Sequence, residues 1–301
     1  MYDTVIIGAG PAGMSASIYA RRAMLNTLLL EKGPFGGGQI IYAGEVDNYL
    51  GISELSGSEL AMKFDEHVNK IGVQKKEGEV LTIEVKDSVK EITLKNGEKI
   101  ESKTIVIATG AKHRKLGIEG EETFLGAGIS YCATCDGAFY KDKITAVIGG
   151  GDSAISEALY LSHICKKVYL IHRRAELRAV KRLQDKLWKT PNIEFLGEYV
   201  CESIHGNHKA EQIRLKHKKD QQIKQIEVDG VFVAVGMEPE TGFLKNSIAL
   251  DEQGYIKAAE DCSTNIPGVF AAGDVRTKSV RQIITAVADG AVCISSIEEY
   301  L

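Results

Sequence analysis

Two cysteines and a carboxylate near the middle of the chain have the types and spacing of a redox site. Cys132 and Cys135 are separated by two residues, and Asp136 follows directly. Thiols at this spacing can form a disulfide if a turn or a helix start brings them together. An adjacent acid can manage the proton of thiol–disulfide exchange. The same spacing is also half of a zinc site, so the motif alone leaves both interpretations open.

Length and composition narrow the class of protein. A chain of 301 residues exceeds the usual size of a single core and predicts two domains. The formal net charge of −4 argues against a nucleic-acid partner. No apolar run reaches the ~18 residues of a membrane span, so no membrane partner is expected. Six cysteines with one close pair favour a reducing, cytoplasmic location over a secreted disulfide framework.

The N-terminal residues carry a dinucleotide-binding pattern. An apolar strand from Thr4 leads into Gly-x-Gly-x-x-Gly, a helix is predicted over 14–22, and a strand over 27–30 ends at Glu31. The glycines allow a tight turn, close approach of a pyrophosphate and packing of helix on strand, while the helix N-terminus offers amides to phosphates. A carboxylate at this distance can bind a ribose diol, which predicts an adenine dinucleotide. The candidate contacts are Gly8, Gly10, Pro11, Ala12, Gly13 and Glu31.

The same pattern recurs 141 residues later. A strand over 168–171 is expected to end at His172, the position equivalent to Glu31, and arginines follow it. Cations in place of the carboxylate can clamp a 2′-phosphate, so the second site predicts NADP. The candidate contacts are Gly149, Gly151, Asp152, Ser153, Ala154, His172, Arg173, Arg174 and Arg178.

The remaining segments complete a fold prediction. Helices are expected over 59–71 and 282–300, and buried strands over 104–110, 230–236 and at 267–274. A β-meander is expected over 80–100, with turns at Asp87-Ser88 and Asn96-Gly97. Further short, meander-like strands are expected over 193–195 and 211–227. We predict an α/β protein with two Rossmann-like, three-layer ββα dinucleotide-binding domains, the second inserted into the first.

Two dinucleotide sites on one chain imply that electrons pass between two carriers. NADP moves a hydride, whereas a disulfide accepts electrons through a thiolate, and a flavin can handle both. FAD is therefore predicted at the first site. A zinc site would need a second close pair of ligands, which the chain does not offer, so the redox interpretation of the cysteine pair is favoured.

Taken together, the motifs resemble the low-molecular-weight, bacterial-type thioredoxin reductases of the class II pyridine nucleotide-disulfide oxidoreductases. The resemblance spans essentially the whole chain and rests on six segments in the family's order. These are Gly8–Gly13, Ala108–Gly110, Cys132–Gly137, Gly149–Ala154, His172–Arg178 and Gly273–Arg276. One departure is Leu50, where relatives commonly have proline, which puts the local loop geometry in question.

The resemblance implies an FAD domain over 1–113 and 243–301, an NADPH domain over 114–242, hinges at 112–115 and 240–243, and a homodimer. It implies electron flow from NADPH through FAD and the dithiol to thioredoxin. Cys135 would face the flavin, Cys132 would attack the thioredoxin disulfide, and Asp136 would act as acid and base. The further implied FAD contacts are Gln39, Asn48, Ala108, Thr109, Gly110, Gly273, Asp274, Arg281 and Gln282.

Two other functions fit the same residues. A sibling flavoprotein could reduce a different dithiol carrier, such as a peroxiredoxin-reducing partner or a glutaredoxin-like protein. A non-enzymatic redox or nucleotide sensor could use the same folds, although it would not need a dithiol, an acid and two distinct nucleotide sites together.

Overall fold

A computed structural model describes residues 1–43, 46–52, 55–86, 88–244 and 248–301. Of the turn predicted at Asp87-Ser88, Asp87 lies outside these ranges. Contacts divide the chain into two compact units. Unit 1 comprises Met1–Ile41, Tyr49–Lys112 and Glu238–Leu301, and unit 2 comprises Tyr42–Asn48 and His113–Met237. In sequence order, most of unit 2 is inserted between two parts of unit 1.

The described residues form strands, α-helices and short 3₁₀ turns. The strands are β1 (Tyr2–Ile7), β2 (Thr27–Glu31), β3 (Gln74–Glu77), β4 (Val80–Lys86), β5 (Val89–Leu94), β6 (Lys99–Ile107), β7 (Ala111–His113), β8 (Ile129–Ser130), β9 (Ile144–Ile148), β10 (Lys167–His172), β11 (Ile193–Gly197), β12 (Tyr199–His205), β13 (Gln212–His217), β14 (Ile223–Glu227), β15 (Gly230–Val233), β16 (Met237–Pro239) and β17 (Val269–Ala271). The α-helices are α1 (Pro11–Arg22), α2 (Gly57–Lys70), α3 (Ala133–Asp136), α4 (Asp152–Ser162), α5 (Lys181–Leu187) and α6 (Ile283–Tyr300). Single 3₁₀ turns occupy Gly38–Tyr42, Gly137–Tyr140 and Gly273–Val275.

Unit 1 is built on one mixed sheet. Its strand order is β3-β2-β1-β6-β5-β4, with β17 also paired to β6. The strands β3, β2, β1, β6 and β17 run parallel, while β4 and β5 form the antiparallel meander. Residues of α1 and α6 contribute to a core that includes Ile6 and Val106. Side chains on the opposite face, including Val5 and Ile105, form a second core with the meander.

The strand β6 differs from the sequence prediction. We predicted a meander ending near residue 100 and a separate buried strand from 104, but Lys99–Ile107 is one continuous strand. Burial alternates at its start, where it pairs with β5, and becomes continuous from Thr104, where it lies between β1 and β17. One strand therefore lies in two environments. The change in its burial pattern resembles the boundary between two elements.

Unit 2 has three layers. The central sheet is parallel in the order β11-β10-β9-β15-β8, and β12-β13-β14 form a separate antiparallel sheet. One core, including Ile148 and Ile213, lies between these two sheets. Another, including Val147 and Ala158, lies between the central sheet and the helices. The predicted α/β, three-layer class is confirmed, but β11 belongs to the parallel sheet and not, as predicted, to the meander.

The internal repeat is confirmed in the hydrogen bonds. The amide of Gly8 donates to the carbonyl of Leu30 at 2.8 Å, and 141 residues later the amide of Gly149 donates to the carbonyl of Ile171 at 2.9 Å. In both repeats the first glycine is therefore bonded in the same way to the end of the second strand. Within the ranges that the structure describes, no helix is long and apolar enough to cross a membrane.

Candidate functional site

The cysteine pair forms a disulfide at a helix start, as one sequence interpretation required. Cys132 and Cys135 are bonded, with their Cα atoms 5.3 Å apart. Cys132 is the N-cap of α3, and its carbonyl accepts the amides of Cys135 and Asp136 at 3.2 and 3.1 Å. The hydroxyl of Ser130 accepts the amide of Cys132 at 3.0 Å. Sulfurs joined in this way are not available as zinc ligands, so the redox interpretation is supported.

The environment of the Asp136 carboxyl favours its protonated form. Its side chain is half-buried, and its Oδ1 atom is buried with no hydrogen-bond partner among the described residues. Burial is the main cause that raises its pKa, the hydrogen bond with Ser130 opposes the rise, and the charge of Asp47 adds to it. A raised pKa keeps the carboxyl protonated closer to neutral pH, which suits an acid and base beside a dithiol.

Both glycine turns leave space at a helix N-terminus. A Cβ on Gly151 would meet nothing within 4 Å, and one on Gly10 would meet only the Cα of Gly38, at 4.0 Å. Gly151 and Gly10 are the N-caps of α4 and α1, and neither cap has a side-chain hydrogen bond. The free amides and the open space fit a phosphate. Gly13 has a packing role, since a Cβ there would collide with the carbonyl of Gly8.

The arginine cluster follows β10, which ends at His172 as predicted. Arg173, Arg174 and Arg178 are exposed, and none of them forms an ion pair with another described residue. The amide of Arg178 donates to the carbonyl of Gly150 at 2.8 Å, which fixes the arginine segment against the glycine turn. Exposed, uncompensated guanidinium groups at this position fit a 2′-phosphate.

His172 is buried, and its ring packs against Gly150 where a side chain at that position would stand. Burial, followed by the charges of the nearby arginines, lowers its pKa, so its ring is neutral near neutral pH. The positive charge of the cluster therefore comes from the arginines. The other predicted contacts differ in exposure, since Asp152 and Ser153 are exposed and Ala154 is buried.

Strand order explains how unit 2 gathers these groups. The dithiol follows β8, the glycine turn follows β9 and the arginines follow β10, and these strands belong to one parallel sheet. All three features therefore lie at its carboxyl edge, where ligands of open α/β sheets bind. Three steps separate β8 from β10, or about 14 Å at the usual strand spacing. This separation suits an extended dinucleotide whose phosphate end lies at the arginines.

Glu31 of unit 1 lies at the end of β2 beside the first glycine turn. Its Oε2 atom accepts the amide of Ala9 at 2.7 Å, and its Oε1 atom accepts the amide of Lys32 at 2.8 Å. A cavity of about 110 Å³ opens here. It is lined by Ala9, Leu29, Glu31, Gly33, Pro34, Gly36, Asp65, Lys75, Lys76 and Glu77. The polar lining and the adjacent helix N-terminus fit an adenine nucleotide.

The second half of the unit 1 site lies between β17 and α6. The Oδ1 atom of Asp274 and the Nε atom of Arg281 are buried without a hydrogen-bond partner in the part of the chain that the structure describes. Burial raises the pKa of Asp274. The Arg281 guanidinium lies over the Tyr255 ring at 4.1 Å, and Gln282 is the N-cap of α6. Buried polar atoms without protein partners can form hydrogen bonds with a bound ligand, which fits FAD.

The other predicted FAD contacts differ in their exposure and in their hydrogen-bond partners. The hydroxyl of Thr109 donates to the carbonyl of Glu240 at 2.8 Å, and the carbonyl of Gly110 accepts the amide of Glu240 at 3.0 Å, so these residues already have protein partners. Ala108 is buried next to β1. Gln39 is exposed in unit 1, whereas Asn48 is exposed in the segment that groups with unit 2.

The loop with Leu50 keeps a tight turn despite the departure from relatives. The amide of Ile52 donates to the carbonyl of Tyr49 at 3.0 Å, and Gly51 has a φ of +87°. A glycine with positive φ at the third position is typical of a type II turn, whose second position favours proline but does not require it. Leu50, 93% exposed, is accommodated there without packing cost.

Three polar residues near the dithiol helix were missed by the sequence analysis. Glu121 is buried, and it is joined to the half-buried Tyr131 by a hydrogen bond of 2.8 Å. Glu157 lies on α4, its Oε2 atom has no partner among the described residues, and burial raises its pKa to about 7. Tyr131 could have been suspected from its place before Cys132. The two glutamates carry no sequence signal, because their burial depends on tertiary packing.

Replacing Glu157 by glutamine is expected to change how stability depends on pH. The carboxyl titrates near 4.5 when unfolded and at about 7 when folded, so the folded state holds its proton more tightly. Its contribution to the free energy of unfolding is therefore lost as the pH rises from about 4.5 through about 7. Denaturant unfolding should show that the variant gains up to about 3 kcal/mol relative to the unsubstituted chain at pH 8, and little at pH 4.5.

The exposed Glu176 provides the matched control. Glu176→Gln should give the same change in the free energy of unfolding at both pH values. A Glu157→Gln variant that behaves like this control would contradict the buried carboxyl.

Comparisons with known proteins agree with this geometry. The family described as pyridine nucleotide-disulphide oxidoreductase matches residues 2–290. A thioredoxin reductase of Listeria innocua is 44% identical over 100% of this chain and 94% of its own length. One from Peptoclostridium litorale is 40% identical over 100% of this chain and 97% of its own. The crystal structure of a thioredoxin reductase from Streptococcus pyogenes has 44% identity and a TM-score of 0.95, covering 100% of this chain and 98% of that one.

Proposed function

The chain belongs to the pyridine nucleotide-disulphide oxidoreductase family and, within it, to the low-molecular-weight thioredoxin reductases, and we propose that it passes electrons from NADPH through FAD and the Cys132–Cys135 disulfide to thioredoxin. One observation carries the assignment. The disulfide, a carboxyl with a raised pKa and an arginine-bearing nucleotide turn share the carboxyl edge of one sheet. A dithiol and a site for a phosphorylated nicotinamide cofactor are what an NADPH-dependent disulfide reductase requires.

Each of the two domains binds one cofactor. The FAD domain takes residues 1–113 and 243–301, and the NADPH domain takes residues 114–242. The buried, unpartnered atoms of Asp274 and Arg281 support FAD in the first, and the exposed arginines after β10 support NADPH in the second. The division of contacts into two units at residues 112/113 and 237/238 supports this assignment.

The protein residues carry out the thiol chemistry. Bound FAD would supply the chemistry that links hydride transfer from NADPH to reduction of the disulfide by an electron pair. Two protons and this pair convert the disulfide into two thiols, with Cys135 on the flavin side. The Cys132 thiolate then attacks the thioredoxin disulfide, forming one mixed disulfide and releasing one thioredoxin thiolate. The Cys135 thiolate attacks Cys132, which re-forms the original disulfide and frees reduced thioredoxin.

Asp136 is the group that moves the proton. Because its pKa is raised, it can protonate a departing thiolate and later take up a proton from a thiol. Asp136 follows Cys135 directly in the chain and is the last residue of α3, the helix that begins after Cys132.

Other dithiol carriers are the rival substrates. A peroxiredoxin-reducing partner or a glutaredoxin-like protein would use the same residues, but the relatives at 40–44% identity over the whole chain carry the name thioredoxin reductase, which favours thioredoxin. A sensor without turnover is the less supported alternative, because it would not need the dithiol, the acid and both nucleotide sites.

We also propose a homodimer in the cytoplasm. Unit 1 exposes Phe35, Leu50 and Met62, which are apolar side chains of the kind that interfaces cover. Cys165, Cys201, Cys262 and Cys293 are buried free thiols, the state that a reducing compartment maintains. Light scattering should give twice the chain mass of 32.7 kDa; the monomer mass would contradict the dimer.

A coupled assay tests the function. NADPH oxidation by the purified, FAD-loaded protein should depend on added thioredoxin and should be much slower with a glutaredoxin or a peroxiredoxin partner at equal concentration. Equal rates with all three, or a faster rate with another carrier, would overturn the choice of substrate. No oxidation with any carrier would favour the sensor.

A further inference from the structure

The residue before the first dithiol cysteine is held from two sides. The ring of Tyr131 stacks on the ring of His113, with centroids 4.8 Å apart and an angle of 16°. Its hydroxyl donates to Oε1 of Glu121 at 2.8 Å. His113 is the last residue of β7 and the first of the long segment of unit 2, so Tyr131 is attached to the start of that segment.

Glu121 fixes the next part of the same segment. Its side chain is only 2% exposed, yet its oxygens are well satisfied: Oε1 accepts the amide of Leu116 and Oε2 accepts the amide of Gly117, both at 2.8 Å. A buried carboxylate is tolerated only when it is hydrogen-bonded in this way. The single hydroxyl of Tyr131 therefore joins a carboxylate that already holds the loop from Leu116 to Glu121.

We propose that Tyr131 and Glu121 are positioning residues for the dithiol. They fix the backbone of Cys132 to residues 113–117, the segment through which the chain enters unit 2. The proposal rests on the proposed function and adds to it the reason why Cys132 keeps a fixed place relative to Cys135. Neither residue touches a substrate or cofactor in this role.

The anchor should persist over the working pH range. Burial raises the pKa of Tyr131, and the neighbouring Glu121 raises it further, so the hydroxyl remains a donor. Burial lowers the pKa of His113 to about 4, so the stacked ring stays neutral above that pH. Among the ionisable groups, Glu122 also acts on Tyr131 and favours its protonated form.

A fixed Cys132 has a predictable effect on the dithiol. Two thiols held in place have a high effective concentration toward each other, which favours their disulfide. Loss of the hydroxyl bond would let Cys132 move and lower that concentration. The disulfide would then be easier to reduce and its midpoint potential less negative. A tenfold change in the equilibrium constant corresponds to about 30 mV for this two-electron couple.

Tyr131→Phe is the primary test, because it removes only the hydroxyl and keeps the ring on His113. In the FAD-loaded protein we expect kcat/KM for thioredoxin to fall about 10- to 150-fold, as for one lost hydrogen bond to a charged group. The dithiol potential should rise by up to about 65 mV, the upper end of that fold-change converted at about 30 mV per decade. NADPH-dependent reduction of ferricyanide, which takes electrons from the flavin, should be unchanged.

Tyr199→Phe is the matched control. Tyr199 also belongs to unit 2 and also packs its ring against a histidine, His217, at 4.9 Å, but it lies on β12 and does not adjoin a dithiol cysteine in the chain. This variant should match the unsubstituted protein in thioredoxin turnover and in potential. If Tyr131→Phe matches it too, the proposal is wrong.

A double-mutant cycle with Glu121→Gln tests whether the two residues act together. The combined loss in kcat/KM should be clearly smaller than the product of the single losses, because either substitution alone already disrupts the same hydrogen bond. Fully multiplicative losses would show independent roles and overturn the pairing. If the unsubstituted protein itself fails to reduce thioredoxin, the proposed function fails; if it succeeds and the potential of Tyr131→Phe is unchanged, only the anchor fails.

Discussion

Replacing Cys135 by serine is expected to abolish thioredoxin turnover while NADPH still reduces the flavin. The disulfide with Cys132 can no longer form, so the electron pair from NADPH has no disulfide to reduce. Removing a residue that takes part in covalent chemistry typically costs about 10³-fold or more in rate. Stopped-flow absorbance of the flavin measures its reduction by NADPH, and the coupled assay measures turnover.

The control for this substitution is Cys165→Ser, which changes a buried free thiol of the same unit. It should retain turnover, provided that the variant remains folded by circular dichroism. Thioredoxin reduction that survives in Cys135→Ser would refute the assigned role of the cysteine pair. Flavin reduction lost together with turnover would place Cys135 in the nucleotide site instead.

The double change of Arg173 and Arg174 to alanine is expected to raise KM for NADPH far more than KM for NADH. These exposed guanidinium groups have no ion-pair partner among the described residues, so their charge is free to bind a 2′-phosphate. One charge-assisted hydrogen bond contributes about 1.5–3 kcal/mol, which predicts at least a tenfold increase for NADPH. Initial rates at varied NADPH and NADH give both constants.

Adjacent exposed arginines at the end of α1 provide the control for the loss of two charges. Arg21→Ala with Arg22→Ala removes the same groups from unit 1 and should leave the preference for NADPH unchanged. Equal increases of KM for both cofactors in the Arg173 and Arg174 variant would mean that these residues do not recognise the 2′-phosphate.

The parts of the fold that are local in sequence could be predicted. The glycine turns were recognised because a short run of residues determines both the turn and the helix start. Their equivalence, 141 residues apart, follows from the sequence and returns in the matching bonds of Gly8 and Gly149. The strand ends at Glu31 and His172 follow from the same local pattern.

Long-range pairing accounts for the errors in the fold. The strand β6 changes from half-exposed to buried along its length, because different neighbours flank its two ends. The strand β11 joins the parallel sheet through β10, although its short, mixed sequence resembles a meander strand. In both cases the partner decides the element, and the partner is distant along the chain.

The candidate site shows the same contrast between features that are local in sequence and features that depend on long-range packing. The sequence provides Cys132, Cys135 and Asp136 as neighbours, but the raised pKa of Asp136 depends on burial and on the charge of Asp47, many residues earlier. The role of Glu121 is likewise set by its contact with Tyr131. Burial is a property of the packed molecule, and a polar residue in a loop gives no sign of it.

Anaerobic titration of the purified FAD-loaded protein with NADPH tests the central claim most directly. If FAD and the Cys132–Cys135 disulfide both accept electrons, about two equivalents of NADPH should be needed for full reduction, because each carrier takes one electron pair. Cys135→Ser should need about one. Thioredoxin added to the reduced protein should then reoxidise it. A protein that is fully reduced by one equivalent, or whose reduced flavin does not respond to thioredoxin, would contradict the proposed electron path.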